Sequence, residues 1–370
     1  MSPRPACLIT GEVSPYRREP FRLLAEAEDV EVIAWNDRGE DVDGLTVHRV
    51  SQARAARMAG SGRYRAVICG LGGRVALPGA YLGARRAGVP FVLWATMWSH
   101  PRTLAHALSL APTRWLYRRA DAVATYGPHV TRYVQRWRGA RGAVFEAAQA
   151  VSAAEFGRPV PDAERVEWRA RAGVAGNDGF LALFVGRLER EKGVDDLLAA
   201  WRESQLAAQG AALALAGDGP LRGALNAPGL IALGHVERER LPGLYAAADA
   251  LVLPSIRTAT FTEPWGFVIN EAMHQATPAI ATDAVGAVAG GLVRDGRNGL
   301  VVPERDPQAL AARLRTLAAN PELRERLGTA ARRDVAPYTP EAWVQGMQRA
   351  LRAAGDSRAG PSYPLSTQDD

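Results

Sequence analysis

Short runs of consecutive apolar residues alternate with longer stretches of helical periodicity along most of this chain. In the first half the runs are Ala6–Thr10, Val30–Trp35, Ala66–Cys69, Phe91–Ala95 and Ala122–Thr125. Between them lie amphipathic stretches such as Arg17–Glu28, Gly79–Ala87, Thr103–Arg119 and His129–Arg138. This alternation predicts a parallel sheet with helices on both faces. The rhythm breaks at Phe156-Gly157-Arg158-Pro159-Val160-Pro161 and Gly176-Asn177-Asp178-Gly179, so residues 150–179 read as a linker followed by a turn. The pattern then restarts. Strand-like runs are Phe180–Val185, Ala212–Ala216, Leu230–Leu233, Ala250–Leu253, Ala279–Thr282 and Gly299–Val302, with helix-like segments Val194–Leu206, Glu239–Ala248, Phe267–Gln275 and Pro307–Asn320. One more helix, Glu341–Ala353, follows Tyr338-Thr339-Pro340, and residues 355–370 read as a small, polar, disordered tail. Two similar α/β halves place a cleft between them, where substrates commonly bind.

Length agrees with this division, since 370 residues exceed what one core usually serves. Hydrophobic content of 47% and charged content of 23% are those of an ordinary globular protein. The apolar run after Met1-Ser2-Pro3-Arg4-Pro5 is too short for a secretory signal, and no window approaches the ~18 apolar residues of a membrane span. Cys7 and Cys69 each lie within or at the end of such a run and read as buried strand thiols, so the expectation is a reducing, cytoplasmic protein.

Charge changes the picture in two ways. Lys192 is the only lysine among 45 basic residues. Residues 51–145 hold 15 arginines against one acid, Asp121. Such a stretch suits phosphates, an anionic membrane surface or nucleic acid, and equally a set of solvated helix faces. Arg114, Arg118 and Arg119 fall beside Trp115 and Tyr117, and Arg132, Arg136 and Arg138 fall around Trp137, a pattern that fits peripheral contact with an anionic membrane. Nucleic acid would need recognition motifs that are not interleaved here.

Chemistry concentrates in the second half. Phe184-Val185-Gly186-Arg187 ends a buried strand, and Leu188-Glu189-Arg190-Glu191-Lys192-Gly193 opens a helix. A glycine there lets a ligand approach the backbone, and a helix start with Arg187 and Lys192 nearby suits a diphosphate. Ala216-Gly217-Asp218-Gly219-Pro220 and Leu233-Gly234-His235-Val236 follow two further strands, without the third glycine of a dinucleotide fingerprint. In Thr262-Glu263-Pro264-Trp265-Gly266-Phe267-Val268-Ile269-Asn270-Glu271 two glutamates are separated by seven residues. With a helix starting near Gly266, both would project from one end of it, suited to vicinal hydroxyls of a sugar and a ribose. The amides of Gly266, Phe267 and Val268 would meet a phosphate.

The run from Phe184 to Leu317 resembles the family-4 retaining glycosyltransferases of GT-B fold, marked by this Glu-x7-Glu motif and extending through Gly296-Arg297-Asn298-Gly299. The first half shows weaker likeness at Ser14-Pro15-Tyr16-Arg17, Ala120-Asp121-Ala122-Val123 and Tyr126-Gly127. The resemblance implies two Rossmann-like domains facing across a cleft. Residues 1–155 would bind the acceptor, residues 156–335 the nucleotide-sugar donor, and residues 336–354 would form a helix crossing back to the first domain. It assigns donor binding to Gly186, Arg187, Lys192, Val236, Glu263, Gly266, Phe267, Val268 and Glu271. Arg187 and Lys192 would hold the diphosphate, Glu271 the ribose and Glu263 the transferred sugar. Gly11, Tyr16 and His100 fall on the acceptor side. The donor is a co-substrate, and neither cofactor nor metal is implied. The family usually has glycine where Ala276 stands, so a left-handed helix end there would be strained or absent.

Acid and base candidates are few. Asp41-Val42-Asp43 fits the DxD metal pattern but sits in a polar turn. His100 follows the strand Phe91–Ala95, where loops face the cleft, whereas His129 and His274 read as structural. The rival reading is a GT-B protein that is no transferase, an epimerase or a sugar phosphorylase. An epimerase should carry carboxylates after the first-half strands, and those loops hold almost none.

Overall fold

The computed structural model describes residues 4–359 apart from 38, 40, 140, 141 and 175–178. Its described residues form two compact units: those of 4–97, 109–148 and 341–359 make the first, and those of 98–108 and 149–340 the second. The first unit contains strands β1 (Ala6–Thr10), β2 (Val30–Ala34), β3 (Val47–Arg49), β4 (Val67–Gly70), β5 (Phe91–Ala95), β6 (Ala122–Thr125) and β7 (Val144–Glu146). The second contains β8 (Leu181–Val185), β9 (Ala212–Ala216), β10 (Leu230–Gly234), β11 (Ala250–Leu253), β12 (Ala279–Thr282) and β13 (Gly299–Val302). All pairings are parallel, in the orders β3-β2-β1-β4-β5-β6-β7 and β10-β9-β8-β11-β12-β13. Each is an α/β doubly wound sheet. The winding reverses between β1 and β4 in the first and between β8 and β11 in the second. Ligands of such sheets bind beyond the strand C-termini at this reversal.

Burial explains why these runs became strands. Cys7, Leu8, Val32, Ile68, Val92 and Leu93 are sealed in the first sheet, and Leu183, Leu213, Leu215, Val252 and Ile280 in the second. Central parallel strands are covered on both faces, so continuous apolar runs fit them. Burial pushes the Cys69 thiol up to about 12, and both cysteines are free.

The terminal helix, Pro340–Ala359, completes the first core. Trp343, fully buried, lies 5.8 Å from the Phe21 ring and 5.7 Å from that of Trp94, with Met347 and Ala350 sealed below it. The helix is longer than the sequence indicated: residues 355–359, read as tail, are helical, and residues 360–370 lie outside the described residues. The stretch read as a linker also needs correction. It carries helices Ala153–Phe156 and Asp162–Arg171, although part of its final turn falls outside the described residues. The second helix has acids in its first turn and arginines in its last, matching the helix dipole, and buries Trp168.

Ala276 adopts the left-handed conformation after all, with φ 58°. This costs roughly 1–2 kcal/mol for a residue with a Cβ.

The arginine-rich stretch is partly inward-facing. Arg138 is buried and donates to the carbonyls of Tyr117, Ala120 and Gly142, while Arg114 stacks 3.6 Å from the Trp137 ring centroid. Tyr117 is sealed in the core, whereas Trp115 stays 46% exposed. No helix among the described residues is long and apolar enough to cross a membrane.

Candidate active site

The reversal of the second sheet gathers two loops. After β8 the chain passes Gly186, whose amide donates to the Ala216 carbonyl at 2.9 Å, and enters a tight turn at Arg190–Lys192. Gly193 ends that turn with φ 71°, and a Cβ on it would lie 1.8 Å from the Pro254 carbonyl oxygen. Only glycine allows this approach. It brings the loop after β8 against the loop after β11.

The consequence is an ion pair. Lys192 Nζ lies 2.5 Å from Glu263 Oε2, which also accepts from the Ser255 hydroxyl at 3.1 Å. The ammonium sits 5.1 Å from the Phe261 ring centroid. Glu263 is 7% exposed, so a carboxylate 71 positions away along the chain from its cation is fixed beside it. A buried charge of this kind is tolerable because it is paired and hydrogen-bonded.

Gly266, with φ 98°, starts the helix Phe267–His274. Its Cβ would press on Leu253 Cδ2 at 2.7 Å and Val285 Cγ1 at 3.1 Å. Phe267 and Val268 form the helix's first two positions, as the sequence indicated. Glu271 does not share the surroundings of Glu263. It is buried at 5% exposure, accepts from the Tyr245 hydroxyl at 2.6 Å and has Arg238 3.8 Å away. Arg238 also pairs with Glu155 at 2.7 Å. Burial raises the pKa of Glu271 above the usual carboxylate range, against the lowering effect of Tyr245 and Arg238. The same burial raises Tyr245.

The other candidates have different hydrogen-bond and ion-pair partners. Arg187 is largely exposed and tied to Glu189 at 2.9 Å and Glu191 at 3.6 Å. Val236 is half-buried in the loop after β10. His100 belongs to the segment 98–108 of the second unit, where its Nε2–H donates to the His106 carbonyl at 2.8 Å. Gly11 and Tyr16 line a cavity of about 390 Å³ in the first unit. Asp41 pairs with Arg49 at 2.6 Å on the surface, and among the described residues no three His, Cys, Asp or Glu side chains gather as a metal site. His129 and His274 are buried, and burial lowers the His274 pKa. Sequence reasoning missed Ser255, Phe261, Tyr245 and Arg238. Of these only Ser255, directly after a strand, carried a positional signal.

The sequence pattern of the family described as glycosyl transferases group 1 matches residues 167–334, which span every donor-side position above. That stretch, just under half of the chain, resembles the group 1 glycosyltransferases. The chain is 29% identical over 296 residues to the alpha-D-kanosaminyltransferase of Streptomyces kanamyceticus, covering 76% of this chain and 72% of that relative. Over 229 residues it is 34% identical to the D-inositol 3-phosphate glycosyltransferase of Geodermatophilus obscurus. That match covers 54% of this chain and 46% of the relative, so the chain spans about half its length. The fold is GT-B: the Anabaena HepE structure in complex with UDP and glucose superposes with a TM-score of 0.74 at 18% identity, covering 95% of this chain and all of that one.

Proposed function

We propose that this protein moves a sugar, with retention of anomeric configuration, from a nucleotide-diphosphate sugar bound at the reversal of its second sheet. The Lys192–Glu263 pair beside the helix start at Gly266 carries this reading. A compact ammonium near the start of a helix favours a diphosphate, and a carboxylate already oriented by Lys192 and Ser255 favours sugar hydroxyls. Lys192 and Arg187 would stabilise charge developing on the leaving diphosphate, a contribution available only as that charge forms. In the donor complex Arg187 would exchange its exposed contacts with Glu189 and Glu191 for phosphate oxygens. Glu271 and Val236 would face the nucleoside. Retention, with the leaving diphosphate accepting the acceptor proton, follows the family resemblance. His100 is the acceptor-side residue of this reading. The complex of HepE with UDP and glucose supports the donor class. No observation favours the epimerase or phosphorylase alternative.

The test is a panel of UDP-, GDP- and ADP-sugars assayed for nucleotide release, with and without EDTA. One donor should be turned over in the presence of EDTA. Lys192→Ala should then lower turnover by about 10²–10³-fold while the protein stays folded. Undiminished turnover in that variant rules out the assigned site.

A further inference from the structure

Residues 98–108 follow β5 of the first sheet in sequence but pack with the second unit, and both of their ends continue into the first. Three hydrogen bonds tie this segment to the loop that carries Glu263. The Trp98 indole N–H donates to the Glu263 carbonyl at 3.1 Å. The hydroxyls of Ser99 and Thr262 are 3.0 Å apart. The Arg102 amide donates to the Ala259 carbonyl at 2.7 Å. Arg257 adds a fourth contact, its guanidinium 5.2 Å from the Trp98 ring centroid while it pairs with Glu304 at 2.6 Å.

The Glu263 carbonyl therefore accepts twice, from Trp98 and from the Gly286 amide at 3.1 Å. Its main chain is pinned from two directions and its carboxylate from two more, by Lys192 and Ser255. The Trp98 contact is made by a segment that the second sheet does not require, since every strand and helix of that sheet comes from residues 149–340. A carboxylate that must meet sugar hydroxyls within a fraction of an ångström gains from such support, because small misplacements lower rate far more than affinity.

We propose that residues 98–102 are a brace that sets the position of Glu263, with Trp98 as a positioning residue for sugar transfer. This rests on Glu263 contacting the transferred sugar. The Trp98 hydrogen bond acts on the main chain of Glu263, the residue assigned to the transferred sugar, so its effect falls on the rate of the chemical step. Trp98→Phe keeps an aromatic ring on the Arg257 side while removing the N–H donor.

The experiment measures kcat and KM for donor turnover, UDP affinity by calorimetry and Tm for Trp98→Phe, Trp98→His and Ser99→Ala, with Lys192→Ala as reference. For Trp98→Phe, kcat should fall about tenfold, the value of one hydrogen bond, with KM and UDP affinity within about twofold of the parent. Trp98→His, which retains a ring N–H, should recover part of that loss, and Ser99→Ala should lower kcat by a smaller factor. If Lys192→Ala is inactive while both Trp98→Phe and Ser99→Ala keep parental kcat, the brace is wrong and the site assignment stands. If Trp98→Phe loses UDP affinity and Tm in step with kcat, Trp98 is merely structural and the brace is again wrong. Parental turnover by Lys192→Ala instead removes the site assignment itself.

Discussion

At the reversal of the second sheet, loop residues lock onto one another: Gly193 seats against Pro254, and Lys192 meets Glu263 and, through it, Ser255. At the reversal of the first sheet the corresponding loops leave a cavity of about 390 Å³, lined by Thr10, Gly11, Gly70 and Gly72. Its cation, Arg17, is 4% exposed, donates to the Tyr126 hydroxyl at 2.5 Å and lies 4.5 Å from the Trp94 ring centroid, 5.0 Å from that of Tyr126 and 5.2 Å from that of Tyr16. The glycines differ in kind too. A Cβ on Gly11 or Gly72 would meet only the Trp35 ring, at 3.4 and 3.5 Å, which is ordinary contact. The same winding thus gives one site closed by backbone necessity and one shaped by side chains. The closed one tolerates little change, whereas the other can be reshaped without disturbing its sheet.

The sharpest way to break this comparison is at the glycines. Gly193→Ala should destabilise the protein by about 3 kcal/mol or more, combining left-handed strain with a backbone clash, whereas Gly11→Ala should stay within about 1 kcal/mol. Urea denaturation measures both. Equal losses would mean the two reversals are built alike. Next is Arg17. Replacing it with Ala removes three ring contacts and a hydrogen bond, for an expected loss of about 2 kcal/mol, while donor hydrolysis in the second unit continues. A parental Tm would show that the aromatic cage carries no stability.

The smallest effect is expected at Glu271. Its folded pKa lies above the unfolded value because burial disfavours the charge, so the ionised carboxylate lowers stability once pH exceeds the usual carboxylate range. Stability recovers as pH falls back through the folded pKa. Glu271→Gln should therefore be at least as stable as the parent at pH 7, with the advantage shrinking under acid, while UDP affinity falls about tenfold. A Tm well below the parent at neutral pH would show that the ion pair with Arg238 outweighs burial.

The two regions were not equally legible in the sequence. Lys192 and Glu263 stood out because each lies in a compact motif after a strand, and folding brought that pair together. Arg238 and Tyr245 escaped notice because their partner Glu271 is reached only through tertiary packing; nothing local distinguishes Arg238 from its neighbours Glu237 and Glu239. The helix Pro321–Val335 was missed although Asn320 caps it, accepting from the Leu323 amide, because its charged sequence obscures the buried stripe of Leu327, Ala331 and Val335. Trp98 illustrates a different limit. It was visible beside His100, but periodicity cannot reveal that a segment joins the other unit.

The terminal helix carries a consequence for how this protein is made. Phe21 and Trp94 emerge from the ribosome long before Trp343 and Met347, which seal them. The unit whose strands are synthesised first therefore keeps an aromatic surface exposed until residues 341–354 have emerged, while the interior of the second unit is complete by residue 340. A stop codon at residue 341 would spare the second unit and leave the first without the helix that closes its core.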